Sequence, residues 1–320
     1  MGKISKVLVT GGAGFIGSNL IRRLLAENYS LIVLDNFRSG SMKSISRYLR
    51  DLKLIKGDIR NRNVVKTAIK DADAVVHLAA LIDVEESVRN PSETNDVNVN
   101  GTLVLLEEAS KGRSRKLLFA SSTAVYGDSS SLPLKENYPL KPVSPYAASK
   151  ASGEHYCRVF NRCYGLPTVI LRFFNVYGPG QKCGFYSGVI TRFLNNASKD
   201  KPLIVFGDGE QTRDFIYIDD VVDAIALALE SESSGGQVMN VCTGKPTSIN
   251  RLAKIVLEAT GKKLKITHEN PRIGDVRSNY GDPKKAKELM GFRANVLLKQ
   301  GLVQVLGDDL GSIRPDQHIG

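Results

Sequence analysis

Through the first half of the chain, short apolar runs rich in β-branched residues alternate with longer segments whose apolar residues recur every three or four positions. Runs at 7–9 and 31–34 are predicted to be strands, and the segment 15–25 between them has helical spacing. This alternation predicts parallel strands joined by crossover helices. Because the runs are apolar throughout, helices are expected on both faces of the sheet. The same pattern predicts strands at 52–55, 74–77, 116–120 and 168–173.

The pattern changes after about Asn175, where glycines and a proline interrupt the segment 178–188. We expect a domain boundary there, with one domain over 1–175 and a smaller one over 176–320. Helices are predicted in the second half at 189–198, 221–230 and 249–259, and a strand at 237–241. The second half is too irregular for another full sheet, and its segment near 237–260 is expected to pack back on the first domain.

The composition is typical of a soluble globular protein. The 320 residues suffice for about two domains, and 42% are hydrophobic. No apolar run approaches the ~18 residues that cross a bilayer, and no signal peptide is recognisable, so we expect a cytoplasmic protein without a membrane partner. The net charge of +11 is spread along the chain, which favours an anionic small-molecule ligand over nucleic acid. The cysteines form no C-x-x-C pair and the histidines lie far apart, so we expect neither disulfides nor a metal site, and single buried thiols.

A glycine-rich loop directly after the first strand predicts a dinucleotide site. Gly11 would permit a tight turn, Gly14 would let the backbone approach a pyrophosphate, and Gly17 would let the following helix pack closely on the strand. Asp35 closes the second strand, where its carboxylate can accept the ribose hydroxyls of NAD and would repel the 2′-phosphate of NADP. Arg38 could offset that repulsion. The sequence therefore predicts a Rossmann-type doubly wound sheet that binds NAD.

Tyr146 and Lys150 lie four residues apart, hence on one face of a predicted helix. A free tyrosine is a poor base at pH 7, but a neighbouring ammonium and a cationic nicotinamide ring both favour the phenolate. This spacing alone is common by chance, and the glycine-rich loop gives it weight. Hydroxyl residues, among them Ser122, follow the strand 116–120 at the edge of the sheet where ligands of such folds bind.

Together these motifs resemble the extended short-chain dehydrogenase/reductase family, in its nucleotide-sugar epimerase and dehydratase branch, from about Lys6 to Val303. The resemblance implies a catalytic triad of Ser122, Tyr146 and Lys150. Tyr146 would remove the proton of a sugar hydroxyl, Ser122 would hydrogen-bond the same oxygen, and Lys150 would hold the nicotinamide ribose and lower the tyrosine pKa.

The resemblance also extends both binding sites. Besides the glycines, Asp35 and the triad, the cofactor would contact Phe15, Ile16, Asn36, Asp58, Ile59, Ala79 and Asn98. The diphosphate and sugar of a UDP-hexose would contact Asn175, Arg213, Arg272, Asp275 and Asn279, together with Ser122. His77 is better explained as a packed histidine at a strand end than as an acid or base.

Thr123 and Ala124 indicate which reaction of this branch to expect. The family's 4,6-dehydratases carry Asp-Glu at these positions, and its decarboxylases usually place a Glu there. Neither side chain here can serve as an acid or base for elimination, whereas a 4-epimerase needs only the triad. We therefore expect a UDP-glucose/UDP-galactose 4-epimerase, and Asn279, smaller than the tyrosine of hexose-selective members, would admit N-acetyl sugars.

Other possibilities stay open at this level. The chain could be another nucleotide-sugar reductase or dehydratase, or a non-catalytic NAD-binding sensor or scaffold. The resemblance further implies a homodimer that pairs the helix bearing Tyr146 with the helix near 103–109.

Overall fold

The computed structural model describes residues 4–112, 114–181, 188–271 and 276–311, without the side chains of 308–311. Its strands, in chain order, are β1 (Lys6–Thr10), β2 (Ser30–Asp35), β3 (Leu52–Lys56), β4 (Ala74–His77), β5 (Lys116–Ser122), β6 (Thr168–Phe173), β7 (Asn175–Tyr177), β8 (Leu203–Phe206), β9 (Thr212–Arg213), β10 (Phe215–Tyr217), β11 (Val238–Val241), β12 (Thr247–Ser248), β13 (Ile266–Glu269) and β14 (Ser278–Asn279).

The α-helices are α1 (Phe15–Ala26), α2 (Met42–Ile45), α3 (Arg62–Ile69), α4 (Val84–Arg89), α5 (Pro91–Asn95), α6 (Gly101–Lys111), α7 (Pro145–Tyr164), α8 (Val189–Ser198), α9 (Ile218–Glu230), α10 (Ile249–Thr260), α11 (Lys284–Met290) and α12 (Leu298–Gly311). A π-helical turn (Asp96–Asn100) joins α5 to α6, and a 3₁₀ turn (Thr123–Tyr126) follows β5.

Seven strands form one sheet in the order β3-β2-β1-β4-β5-β6-β11, and every pairing in it is parallel. Successive side chains of a strand bury on opposite faces of this sheet. Val7 and Val9 pack in one core with residues of α1 and α9, whereas Leu8 packs in the other with residues of α3 and α6. The predicted doubly wound α/β sheet is therefore confirmed, as is each of its predicted strands.

The second half folds into short pieces around this sheet. The pairs β7–β10 and β8–β13 and the three-stranded β12-β9-β14 make up its small sheets, and the three predicted helices are present as α8, α9 and α10. Strand β11 joins the edge of the large sheet, and α9 packs against α1, β5 and β6. The chain thus packs back on the large sheet and its helices at two places beyond residue 175, and the domain boundary stays a prediction.

The described thiols differ in exposure. Cys157 and Cys242 are buried, but Cys163, near the carboxyl end of α7, is exposed, so the expectation of buried thiols is wrong there. Cys183 lies outside the described residues. Over the residues that the structure describes, no helix has both the length and the apolar character needed to cross a bilayer.

Candidate active site

A cleft of about 480 Å³ lies at the carboxyl ends of the central strands. It straddles β1 and β4, where the strand order reverses direction and where doubly wound folds bind ligands. Most of the predicted site residues line it: Gly11, Gly14, Phe15, Ile16, Gly17, Asp35, Asn36, Asp58, Ile59, Ala79, Ser122, Tyr146, Lys150 and Asn175.

The glycine-rich loop is shaped by close backbone approaches. Gly11 has φ +70°, and a Cβ there would lie 2.7 Å from the backbone N of Ala79. A Cβ on Gly17 would lie 2.3 Å from the carbonyl oxygen of Gly11, so only glycine lets α1 come this near to the loop. In the described chain no side chain caps the start of α1 at Gly14, and its first turn contains no acid. The amino end of α1 therefore suits the pyrophosphate of a dinucleotide.

Asp35 is held rigidly at the end of β2. Its carboxylate accepts the backbone N–H of Ala13 at 2.8 Å and that of Phe37 at 2.7 Å. These bonds leave the carboxylate at the cleft wall beside the glycine-rich loop. The placement suits recognition of ribose hydroxyls, as NAD requires.

The adenine end of the cleft carries a second carboxylate. Asp58 receives two hydrogen bonds from the Arg60 guanidinium, at 2.9 and 2.8 Å, and one from the Asn36 amide at 3.1 Å. The hydrogen bonds from Arg60 are the main reason that the pKa of Asp58 falls to about 2. Asp58 is therefore ionised, and its side chain fixes the loops after β2 and β3 to each other.

Ser122, Tyr146 and Lys150 line the same cleft. Tyr146 is hydrogen-bonded to the Ser122 side chain; burial raises the pKa of the phenol, and this bond partly opposes the rise. The Lys150 ammonium donates to the carbonyl oxygen of Ala120 at 2.9 Å, and burial lowers its pKa to about 8. The protein alone therefore keeps Tyr146 protonated, so a further cation is needed to produce the phenolate.

The two neighbouring serines have different partners. Ser121 donates its hydroxyl to the buried Glu154 carboxylate at 2.6 Å. Ser122 accepts the backbone N–H of Ala124 at 3.2 Å and contacts Tyr146. Ser122 is therefore the hydroxyl of the pair that faces the tyrosine.

Asn98 and His77, both singled out in the sequence, make hydrogen bonds within the protein beside the cleft. Asn98 does not line the described cleft: its amide exchanges hydrogen bonds of 2.8 Å with both backbone groups of Leu81 and donates to Ser149 at 2.9 Å. This bond network ties the β4 loop to α7, and the expected cofactor contact of Asn98 stays a prediction. His77 is buried between Thr10 and Thr102, and burial lowers its pKa to about 3, so it is a neutral packed histidine.

The substrate residues expected in the second half are only partly at the cleft. Asn175 lines it, with its side-chain amide donating to the carbonyl of Asp214 at 3.0 Å. Arg213 and Asn279 are paired across β9 and β14, outside the described cleft lining. Asn279 accepts a hydrogen bond from Thr123 at 2.9 Å, which connects β14 to the turn after Ser122. Arg272 and Asp275 lie outside the described residues.

Sequence reasoning missed several lining residues. Phe174 and Gln181 lie on either side of β7, and Arg60 lies beside Asp58. Phe174 is adjacent to a predicted residue, and Arg60 follows a predicted pair, but Gln181 carries no pattern that marks it. Among the residues that the structure describes, no three His, Cys, Asp or Glu side chains converge as a metal site.

The fold and the cleft define a Rossmann-type dinucleotide-binding enzyme. The chain belongs to the NAD-dependent epimerase/dehydratase family, whose model matches residues 7–242. It is 41% identical to a putative UDP-glucose 4-epimerase of Methanocaldococcus jannaschii, over 94% of this chain and 97% of that protein.

Solved structures agree over nearly the whole chain. The UDP-glucose 4-epimerase of Thermotoga maritima, solved with UDP-glucose, has a TM-score of 0.92 and 36% identity, covering 97% of this chain and 100% of that one. The UDP-N-acetylglucosamine 4-epimerase of Methanobrevibacter ruminantium M1, in complex with UDP-N-acetylmuramic acid, has a TM-score of 0.92 and 35% identity, covering 98% and 100%.

Proposed function

We propose that this protein is an NAD-dependent UDP-sugar 4-epimerase of the cytoplasm that interconverts UDP-glucose and UDP-galactose. The observation that carries the proposal is that Ser122, Tyr146 and Lys150 line the same cleft as the glycine-rich loop. The relatives described above, a putative UDP-glucose 4-epimerase in sequence and a UDP-glucose 4-epimerase in structure, support it.

The three side chains divide the work on the C4 hydroxyl. Tyr146, as phenolate, accepts the hydroxyl proton, and Ser122 hydrogen-bonds the same oxygen and holds it in line. Lys150 contributes the buried positive charge that favours the phenolate, although burial brings its own pKa to about 8. Bound NAD supplies the oxidising and then reducing equivalent, and its positive ring adds the second cation that Tyr146 requires.

The residues after Ser122 favour epimerisation over elimination. Thr123 is neutral and hydrogen-bonded to Asn279, and Ala124 has no titratable group. Neither can donate or remove a proton at C5 or C6, as a dehydratase must. The C4 position therefore remains the site where this chain has the chemistry to act.

The second half is proposed to hold the nucleotide and the sugar. Asn175, at the cleft, would donate to the diphosphate, and Arg213 with Arg272 would clamp it, because guanidinium forks suit phosphate oxygens. Asp275 and Asn279 would border the sugar, and the modest size of Asn279 would admit an N-acetyl group.

NMR of UDP-galactose with purified protein and catalytic NAD⁺ tests the function. We expect UDP-glucose to accumulate to equilibrium without net NADH. Unchanged UDP-glucose, UDP-galactose and their N-acetyl forms would sink the proposal. A 4-keto product or stoichiometric NADH would instead identify a dehydratase or a dehydrogenase.

A Tyr146→Phe variant distinguishes the enzyme from an NAD-binding sensor or scaffold. Loss of the general base should lower turnover by about 10²–10⁴-fold while dinucleotide binding is retained. If the wild-type protein binds NAD but converts no sugar, and Tyr146→Phe behaves identically, the protein is an NAD-binding sensor or scaffold and not an epimerase.

A further inference from the structure

Arg38 lines the cleft three residues after Asp35, and its guanidinium is hydrogen-bonded to two acids. It donates to Glu86 at 2.9 Å and to one carboxylate oxygen of Glu93 at 3.1 Å, with a shorter contact to the other. Glu86 lies on α4 and Glu93 on α5. One cleft arginine therefore bridges two helices on the opposite side of the loop.

The backbone around Arg38 gives the guanidinium a fixed origin. The Asp35 carboxylate accepts the N–H of Phe37, which has φ +59°, and the Asn36 side chain accepts the N–H of Arg38 at 3.1 Å. The turn therefore fixes the Arg38 backbone near Asp35, while the Arg38 guanidinium bonds to the acids on α4 and α5.

The two acids are themselves held in place. The Asp83 carboxylate caps the N–H of Glu86 at 2.7 Å, and Pro91 begins the helix that carries Glu93. The hydrogen bond from Arg38 is the main reason that the pKa of Glu93 lies below its usual value, so this acid is ionised at neutral pH. Glu86 and Glu93 thus present two carboxylates to Arg38 from two different helices.

A free arginine beside the ribose-binding acid has a known chemical consequence: it can pair with a 2′-phosphate and admit NADP. Guanidinium forks bind phosphate and carboxylate with the same geometry, so Glu86 and Glu93 compete directly with a phosphate for Arg38. We propose that Glu86 and Glu93 are specificity-determining residues, which exclude NADP by withholding Arg38 from its 2′-phosphate.

This inference rests on the NAD dependence of the family and is independent of which sugar is the substrate. The test is calorimetric titration of the full-length protein, freed of dinucleotide, with NAD⁺ and NADP⁺ and without sugar. In Glu86→Gln/Glu93→Gln, we expect the NADP⁺ dissociation constant to fall by about tenfold, which corresponds to about 1.4 kcal/mol. The NAD⁺ constant should change by less than about twofold, since NAD lacks the phosphate.

Adding Arg38→Gln to this double variant should abolish the gain for NADP⁺, whereas Arg38→Gln alone should alter NADP⁺ binding little. Glu258→Gln/Glu288→Gln is the matched control, because it removes two surface acids of α10 and α11 and changes the net charge equally. An unchanged NADP⁺ constant in the first double variant would overturn the proposal. A gain that survives Arg38→Gln, or that the control reproduces, would overturn it as well.

Discussion

Lys150 carries its positive charge at a buried position, where the loss of hydration disfavours the charged form. The residue is 4% exposed, its ammonium donates a hydrogen bond to the backbone oxygen of Ala120, and burial lowers its pKa from 10.5 to about 8. Such a group lowers stability in the cofactor-free protein. Its retention at the cleft is understandable if the charge acts on Tyr146 and on a bound ligand.

We predict that Lys150→Met stabilises the cofactor-free protein at pH 7, by on the order of 2 kcal/mol. Between pH 8 and 10.5 the unfolded wild-type chain binds a proton that the folded chain does not, so wild-type stability rises with pH in that window. The advantage of Lys150→Met should therefore shrink from pH 7.5 to 10 in urea unfolding. An advantage that is absent, or constant across this range, would contradict the buried-charge account.

Asn279 joins β14 to the turn after Ser122 through its hydrogen bond with Thr123. We predict that Asn279→Tyr lowers kcat/KM for UDP-GlcNAc relative to UDP-glucose by about tenfold, because the larger ring fills space that an N-acetyl group needs. Rates for both substrates, measured with the same preparation, give the ratio. A negligible wild-type rate on UDP-GlcNAc, or an unchanged ratio, would show that this position does not set the preference.

At the scale of elements, α7 is fastened to the sheet by a buried ion pair one turn beyond Lys150. Glu154 receives the Arg172 guanidinium of β6 at 2.8 and 2.6 Å, and both side chains are fully buried. Arg172 also lies over the ring of Tyr126. Because Glu154 accepts the Ser121 hydroxyl too, the pair sets α7 against the end of β5.

Removing one member of this pair leaves the other charge buried alone. We predict that Glu154→Leu lowers the free energy of unfolding by about 3–5 kcal/mol, and that adding Arg172→Met recovers much of the loss. Urea unfolding of the two variants beside wild type measures both. Equal losses in the single and double variants would contradict this account, since the loss would then reflect packing and not an unpaired charge.

An element could be predicted from the sequence when it is long enough, or buried enough, to show a clear pattern of apolar residues. Buried strands such as 74–77 and long amphipathic helices carry a pattern that is visible without a structure. Helices α4 and α5 span six and five residues, too few for a helical period, and they escaped prediction. Because Glu86 and Glu93 lie on these two helices, 48 and 55 residues from Arg38, their ion pairs with Arg38 could not be predicted either.

The candidate site divides in a similar way. The glycine-rich loop and the Ser122, Tyr146 and Lys150 set are local motifs at strand and helix ends, so the sequence placed them at the cleft. The internal role of Asn98 depends on a backbone loop 17 residues away, and the bond between Thr123 and Asn279 spans 156 residues. Contacts of this kind are decided by tertiary packing, which no local pattern encodes.

For the whole molecule, we propose a homodimer that uses the face of α7. That helix contacts α4 and α6, and it exposes Tyr156 and Val159, while Val88 is exposed on α4. Exposed apolar side chains on contacting helices are typical of a covered surface.

We predict a dimer by sedimentation, and a shift toward monomer in Val159→Glu, because the interface would have to bury a charge. Val159 is 47% exposed, and Val303→Glu on α12 is the control, since Val303 is 53% exposed and lies outside this face. A monomeric wild type, or equal effects of the two variants, would contradict the dimer.

The most direct test of the central claim is NMR of UDP-galactose that carries deuterium at C4, incubated in ordinary water with the protein and catalytic NAD⁺. An epimerase that removes and returns the C4 hydrogen inside a closed site should yield UDP-glucose with the deuterium still at C4, and Tyr146→Phe should leave the sugar largely unchanged. UDP-glucose that has lost its deuterium to the solvent, or no conversion by the wild-type protein, would contradict the account.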